Sequence, residues 1–166
     1  MQPVDDLTME RVASLAKLAL EKKAVIATAE SCTAGGIAFT LTTIAGSSEW
    51  FDRAFVTYSN ASKVELLGVS EKTLVAHGAV STETAQEMVS GALDRSLATL
   101  AVAVTGIAGP GGAVPGKPVG TVYIGWGKKG QKPLVSRFQF KGDREAVRAQ
   151  TIREAIDGLI RLLSND

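Results

Sequence analysis

Apolar residues along the chain follow two patterns, short uninterrupted runs and stripes at helical spacing. Three short runs at residues 24–29, 54–58 and 100–105 are too brief for helices and are therefore predicted as strands. The first and third lack alternation, which is typical of strands covered on both faces. Two more β-rich runs, 119–126 and 134–140, are separated by a short polar connection with no room for a crossover helix. These last two strands are expected to pair antiparallel.

Amphipathic stripes fill the intervals between these runs. Helical spacing of apolar residues predicts helices over residues 7–23, 37–44, 60–67, 81–93 and 143–163, with a further helical turn at 70–75. The resulting order, α-β-α-β-α-α-β-β-β-α, predicts an α/β protein. Its expected architecture is a three-layer α/β/α sandwich with a mixed, mostly parallel sheet of about five strands. A length of 166 residues favours a single domain over residues 1–166.

Composition excludes several classes of function. Eighteen Lys and Arg against seventeen Asp and Glu give a net charge of +1, so there is no basic field for nucleic acid. One cysteine and one histidine rule out an internal disulfide and a zinc cluster, and no metal or cofactor is expected. The polar start of the chain does not resemble a signal peptide, and no apolar run approaches about twenty residues. We expect a soluble cytoplasmic protein that does not bind membranes.

The first predicted strand ends in a turn that carries candidate chemistry. Glu30, Ser31, Cys32 and Thr33 follow the strand, and two glycines precede the next helix. Ligands gather at the carboxyl ends of strands in open α/β sheets, and unpaired amides of a helix's first turn can hold an oxyanion. Ser31 is therefore a candidate nucleophile. A capping role for this serine is the alternative interpretation.

A base for Ser31 has two candidates in the sequence. His77 lies in a short turn that is more typical of a surface residue, whereas Lys63 follows the second strand closely enough to reach its carboxyl end. If the ends of the first three strands meet, Ser31, Tyr58, Lys63 and Thr105 come together. A solvated helix lysine is the alternative for Lys63. Cys32 is expected to point inward as an inert structural thiol.

Phosphate-binding and hydrolase motifs are absent. The chain has no G-x-S-x-G elbow and no Walker A sequence, and its glycine-rich loop at 106–116 does not fit G-x-G-x-x-G. Kinase-like and Rossmann dinucleotide functions therefore lose most of their support.

Several separated motifs resemble the CinA C-terminal domain family. In chain order they are TAESCTAG at 28–35, IAGSS at 44–48, VTYSNxxK at 56–63, HGAVS at 77–81, TGIAGPGG at 105–112 and KPVGTV at 117–122. The resemblance spans roughly residues 7–163. One departure is Ala34, where the family often has glycine; the methyl group would matter if this position needs a positive φ.

The resemblance implies hydrolysis of the carboxamide of nicotinamide mononucleotide to nicotinic acid mononucleotide and ammonia, without a cofactor. It implies Ser31 as nucleophile, Lys63 as base and Tyr58 as a supporting hydroxyl. It also implies a set of substrate-binding positions: Thr33, Gly35, Thr105, Gly106, Gly109, Gly111 and Arg144, the last as a substrate or phosphate contact.

The sequence alone leaves open the oligomeric state and two alternative functions. The resemblance suggests a homo-oligomer, for which Trp50, Phe51 and Trp126 are candidate exposed apolar residues, with core packing as the alternative. A non-catalytic nucleotide-binding or regulatory module of competence or DNA-damage responses is a second hypothesis. An amidohydrolase acting on a different small amide is a third.

Overall fold

A computed structural model describes residues 4–165 of the chain. Its six α-helices in this range are α1 (Asp6–Lys22), α2 (Gly36–Leu41), α3 (Asn60–Leu67), α4 (Glu71–His77), α5 (Thr82–Asp94) and α6 (Arg144–Ser164). Its five strands are β1 (Ile26–Glu30), β2 (Phe51–Val56), β3 (Leu100–Gly106), β4 (Thr121–Lys128) and β5 (Leu134–Gln139). The element order is the predicted one except between β2 and β3, where the helical turn expected at 70–75 is a full helix, α4, so that three helices rather than two connect these strands.

The strands form one mixed sheet in the order β2-β1-β3-β4-β5. β1 pairs parallel with both β2 and β3, while β4 pairs antiparallel with β3 and with β5. Four of the five strands therefore run in the same direction, which confirms the mixed, mostly parallel sheet. The antiparallel pairing of the last two strands is also confirmed.

Helices cover both faces of the sheet and make the three predicted layers. α1, α2 and α6 pack together on one face, whereas α5 lies on the other face with α3 and α4 against it. Each face has its own apolar core, one around Leu15 and Ile156 and one around Met88 and Val89. β1, β3 and β4 lie between these cores, which explains why they lack polar alternation.

Element boundaries differ from the predicted ones by two or three residues at several elements. β4 runs over Thr121–Lys128 rather than 119–126, and α2 ends at Leu41 rather than at residue 44. β1 begins at Ile26 rather than residue 24, because Lys23 caps α1 in a left-handed conformation and the Ala24 amide still donates to Ala19 O. β2 begins at Phe51 rather than residue 54, directly after a short 3₁₀ helix at Ser47–Glu49.

The aromatic residues considered for an oligomer interface belong mainly to the core. Trp50 and Trp126 are buried, and Phe51 packs against the same core. Trp126 Nε1 donates to Ala155 O of α6 at 2.9 Å, so its polar atom is satisfied inside the protein. The prediction of exposed tryptophans is therefore wrong. Within residues 4–165, no helix is long and apolar enough to cross a membrane.

Candidate active site

The carboxyl ends of β1, β2 and β3 meet at one edge of the sheet, as expected. The Ser31 amide donates to Val104 O of β3, and the Thr57 amide donates to Glu30 O of β1. These bonds extend the parallel pairing one residue beyond the strands. They place the turn after β1 beside the segment that leads from β2 into α3.

Ser31 and Lys63 form a direct pair at this edge. Lys63 Nζ lies 2.9 Å from Ser31 Oγ, and it also contacts the carbonyl oxygens of Thr57 at 2.9 Å and Tyr58 at 3.3 Å. Ser59 caps α3 by accepting from the Ser62 amide, and Gly68 ends the helix. The first turn of α3 therefore aims the Lys63 side chain back under the end of β2.

Burial gives Lys63 unusual acid–base properties. Its side chain is 1% exposed, and burial lowers its pKa from 10.5 to about 8. Desolvation disfavours the ammonium form, since a charge loses its hydration in the protein interior. A large fraction of Lys63 is thus neutral near pH 8 and able to accept a proton.

A small cavity of about 240 Å³ opens over this pair. Six of the predicted site residues line it, namely Ser31, Tyr58, Lys63, Thr105, Gly106 and Arg144. The Arg144 guanidinium donates to Gly109 O at 2.8 Å and to the Tyr58 hydroxyl at 3.2 Å. The Thr105 hydroxyl donates to Ala79 O at 2.8 Å, which leaves its oxygen available as an acceptor.

A larger cavity of about 1090 Å³ lies on the other side of Arg144. Arg144 and Ala108 line both cavities, and Thr33 lines only the larger one. Arg148, one turn after Arg144, lies in its wall and donates to Thr33 O at 3.2 Å.

Three of the four predicted glycines lie outside both cavity walls, whereas Gly106 lines the small cavity. Gly35 and Gly111 line neither cavity, and Gly109 contributes its carbonyl oxygen to Arg144 instead. Gly35 has φ 94° and precedes α2, so its left-handed backbone shapes the turn. Ala34 also has a positive φ, 48°, and so adopts the left-handed conformation that glycine adopts more easily.

Amides at the start of α2 do not face Ser31, contrary to the sequence-based hypothesis. The Ile37 and Ala38 amides donate to the Glu30 carboxylate at 2.8 and 3.0 Å. These donors are occupied and cannot also hold an oxyanion at Ser31. Glu30 reaches them because the chain reverses direction within the turn.

The other nucleophile and base candidates do not form an active pair. Cys32 is buried, and burial raises its pKa to about 12, so its thiol is protonated at neutral pH. His77 ends α4, where its Nδ1 lies 3.5 Å from a Glu83 carboxylate oxygen, and it does not line the cavity of Ser31.

Two of the polar cavity residues that the sequence analysis did not assign to the site are Asn60 and Arg148. Asn60, at the first position of α3, lines the cavity of Ser31 and Lys63, and in the sequence it stands out only as part of the VTYSNxxK motif. Arg148 could have been found from its spacing, since a residue four positions after Arg144 lies on the same helix face. Among residues 4–165, no group of three His, Cys, Asp or Glu could hold a metal ion.

A buried serine–lysine pair at the strand ends of an α/β/α sandwich defines a candidate hydrolase site that uses a serine nucleophile. Residues 9–163 match the CinA C-terminal domain, and the chain belongs to this family.

Named relatives agree with this assignment. The nicotinamide-nucleotide amidohydrolase PncC of Pseudomonas putida is 54% identical over 139 residues, covering 84% of this chain and 86% of that protein. PncC of Enterobacter agglomerans is 59% identical over 122 residues, covering 74% of each. The crystal structure of the competence/damage inducible protein CihA from Agrobacterium tumefaciens superposes with a TM-score of 0.94 at 43% identity, covering 98% of this chain and 99% of that chain.

Proposed function

We propose that this protein hydrolyses the carboxamide of nicotinamide mononucleotide to nicotinic acid mononucleotide and ammonia. The observation that carries the proposal is the 2.9 Å contact between Lys63 Nζ and Ser31 Oγ inside a cavity. The names of the relatives from Pseudomonas putida and Enterobacter agglomerans supply the substrate.

The surroundings of Lys63 fit a general base. A neutral amine has two N–H groups and one lone pair, and the carbonyls of Thr57 and Tyr58 accept those two hydrogens. The lone pair is then directed at the Ser31 hydroxyl, which donates to it. The two carbonyls therefore orient Lys63 for proton transfer from Ser31.

Hydrolysis proceeds in two halves. Ser31 Oγ attacks the carboxamide carbon while Lys63 takes the hydroxyl proton, and the tetrahedral intermediate collapses as Lys63 returns that proton to the leaving nitrogen. Ammonia leaves and an acyl-serine remains. Neutral Lys63 then takes a proton from water, the resulting hydroxide attacks the ester, and Ser31 recovers its proton as the acid departs.

We propose that Arg144 holds the non-reacting part of the substrate. Arg144 lies in the wall shared by the small and the large cavity. In this proposal the carboxamide lies at Ser31 and the ribosyl phosphate lies next to Arg144. A guanidinium is suited to phosphate because it offers several donors in one plane.

Ammonia release from nicotinamide mononucleotide tests the proposal. The wild type should release ammonia and nicotinic acid mononucleotide in equal amounts, and Ser31→Ala should release neither. Nicotinamide and nicotinamide riboside serve as comparison amides. Binding of the nucleotide without turnover by the wild type would favour the non-catalytic module, and turnover only of another amide would replace the substrate.

The proposal also covers the oligomeric state and the cellular location of the protein. We expect a homo-oligomer in the cytoplasm, where the free thiol of Cys32 stays reduced. Because Trp50 and Trp126 are buried, an interface would use other apolar residues, such as Phe39 or Leu134, which are exposed.

A further inference from the structure

Glu30 is a fully buried carboxylate that the proposed reaction does not use. It directly precedes Ser31, is 0% exposed, and accepts four hydrogen bonds. The donors are the Thr28 hydroxyl at 2.9 Å, the Thr33 hydroxyl at 2.7 Å, and the amides of Ile37 at 2.8 Å and Ala38 at 3.0 Å. Burying a carboxylate is costly unless its oxygens are satisfied, as they are here.

These donors belong to three different parts of the fold. Thr28 lies within β1, Thr33 lies in the turn that carries Ser31, and Ile37 and Ala38 lie in the first turn of α2. Gly35, the residue before α2, has no side chain that could cap the helix. Glu30 supplies the missing cap from across the turn, since each of its oxygens accepts one helix amide.

The turn between Glu30 and α2 has an unusual backbone. Ala34 and Gly35 are consecutive left-handed residues, with φ values of 48° and 94°. This conformation is unfavourable for alanine, so it persists where neighbouring contacts fix it. The Ser31 amide is anchored on β3, and the Thr33 hydroxyl is anchored on Glu30.

Glu30 is not among the hydrogen-bond partners of the base. Lys63 Nζ contacts Ser31 Oγ and the carbonyl oxygens of Thr57 and Tyr58, and burial is the main cause that lowers the pKa of Lys63. The Glu30 carboxylate is directed at α2 rather than at the amine. An effect of Glu30 on the reaction must therefore pass through the position of Ser31.

We infer that Glu30 is a positioning residue whose bond to Thr33 holds the Ser31 turn in its reactive geometry against Lys63. The inference rests on the proposed function only in that Ser31 is the nucleophile. A displacement of about 1 Å between reacting groups can reduce a rate about a hundredfold, so a loose turn would be costly.

Two threonines provide matched variants that leave the carboxylate in place. Thr33→Val and Thr28→Val each remove one buried hydroxyl that donates to Glu30, and each replaces it with a methyl group of similar size. Thr28 lies inside the sheet, whereas Thr33 lies in the turn. Thr33→Ser keeps the donor and serves as the conservative variant.

The experiment measures the reactivity of Ser31 without relying on the natural substrate. A fluorophosphonate probe forms a bond from Ser31 Oγ to phosphorus and releases fluoride, while Lys63 accepts the hydroxyl proton. Mass spectrometry identifies the modified residue and measures the rate of its phosphonylation. Thermal unfolding of each variant is measured in parallel, together with kcat and KM for nicotinamide mononucleotide.

Thr33→Val should be phosphonylated about ten- to a hundredfold more slowly than the wild type and lose kcat to the same extent, with KM little changed. Thr28→Val should lose similar stability yet react at nearly the wild-type rate, and Thr33→Ser should also react at nearly that rate. Equal rates for the two valine variants would overturn the inference.

The experiment distinguishes a failure of the proposed substrate from a failure of the inference about Glu30. If the wild type is phosphonylated at Ser31 but does not hydrolyse nicotinamide mononucleotide, the proposed substrate fails while the valine pair still decides the role of Glu30. If Ser31 of the wild type is not modified, there is no activated nucleophile to position, and the inference falls as well.

Discussion

Arg144 and Tyr58 lie 86 positions apart in sequence, and the Arg144 guanidinium donates to the Tyr58 hydroxyl at 3.2 Å at the rim of the Ser31 cavity. The same guanidinium donates to Gly109 O of the glycine-rich loop. One side chain from the first turn of α6 thus connects two parts of the cavity wall. In the proposed function, the remaining guanidinium donors bind the phosphate of the substrate.

Replacing Arg144 should affect the nucleotide more than the riboside. Arg144→Ala should raise KM for nicotinamide mononucleotide about 10- to 100-fold, because a charged hydrogen bond contributes about 1.5–3 kcal/mol. For nicotinamide riboside, which lacks the phosphate, kcat/KM should change little. Steady-state kinetics on both compounds measures the difference.

Arg11→Ala is the control for this prediction, since Arg11 pairs with Asp157 and lines neither cavity. It should leave both substrates unaffected. An equal loss on nucleotide and riboside in Arg144→Ala would instead indicate that Arg144 only supports the cavity wall through Gly109 and Tyr58.

Much of the fold follows from the sequence because its pattern is simple. Apolar runs without alternation identify the strands between two helix layers, and the short connection after residue 126 forces the antiparallel pair. The Ser31–Lys63 pair also follows, since parallel strands bring their carboxyl ends to one edge.

Contacts that depend on the exact path of a loop could not be predicted. Glu30 reaches the α2 amides only because Ala34 and Gly35 are left-handed, and no spacing rule indicates that conformation for alanine. The sequence also could not show whether Trp126 is buried or exposed, because an aromatic residue in a strand can belong either to the core or to an interface. Its burial depends on α6, where Gly158 leaves room for its ring.

Chelation should not affect catalysis. The proposed reaction uses a serine and an amine, and residues 4–165 offer no cluster of three metal-binding side chains. Activity on nicotinamide mononucleotide should therefore be unchanged after dialysis against EDTA, assayed in metal-free buffer. Activity that disappears and returns on addition of zinc or magnesium would contradict the serine–lysine mechanism.

Ser31 and Lys63 should behave as one catalytic unit. Ser31→Ala and Lys63→Ala should each lower kcat about 100-fold or more, and the double variant should be little worse than either. Groups that act in the same step give non-additive losses because either removal disables that step. Additive losses in single-turnover kinetics would show that the two residues act independently.

The pH dependence of kcat/KM should report the titration of Lys63. The proposed mechanism requires the neutral amine, so kcat/KM should rise about tenfold per pH unit below the pKa of about 8 and level off above it. Lys63→Arg should not restore activity, because a guanidinium stays protonated. Lys132→Ala, at an exposed lysine, should keep the wild-type profile. A profile that is flat between pH 6 and about 9 would exclude lysine as the base.

The free energy of unfolding should depend on pH through the titration of Lys63. The pKa of Lys63 is lowered from 10.5 to about 8 in the folded protein. Below pH 8, Lys63 is protonated in both the folded and the unfolded protein, and the buried ammonium group destabilises the folded protein. Between pH 8 and 10.5 the unfolded chain binds more protons than the folded one, so the free energy of unfolding rises with pH. The full gain is about 3 kcal/mol, at about 1.36 kcal/mol per pKa unit.

A comparison with Lys63→Met isolates this contribution, because all other titrating groups are shared. Urea unfolding of both proteins at several pH values should show the stability of the wild type increasing relative to the variant by about 3 kcal/mol between pH 8 and 10.5. The direction is opposite to that of a lysine held by a carboxylate, whose raised pKa would make stability fall as pH rises. A difference that stays constant over this range would mean that Lys63 titrates alike in both states. The buried amine would then remain charged at neutral pH, and a water molecule or another group would have to take the Ser31 proton.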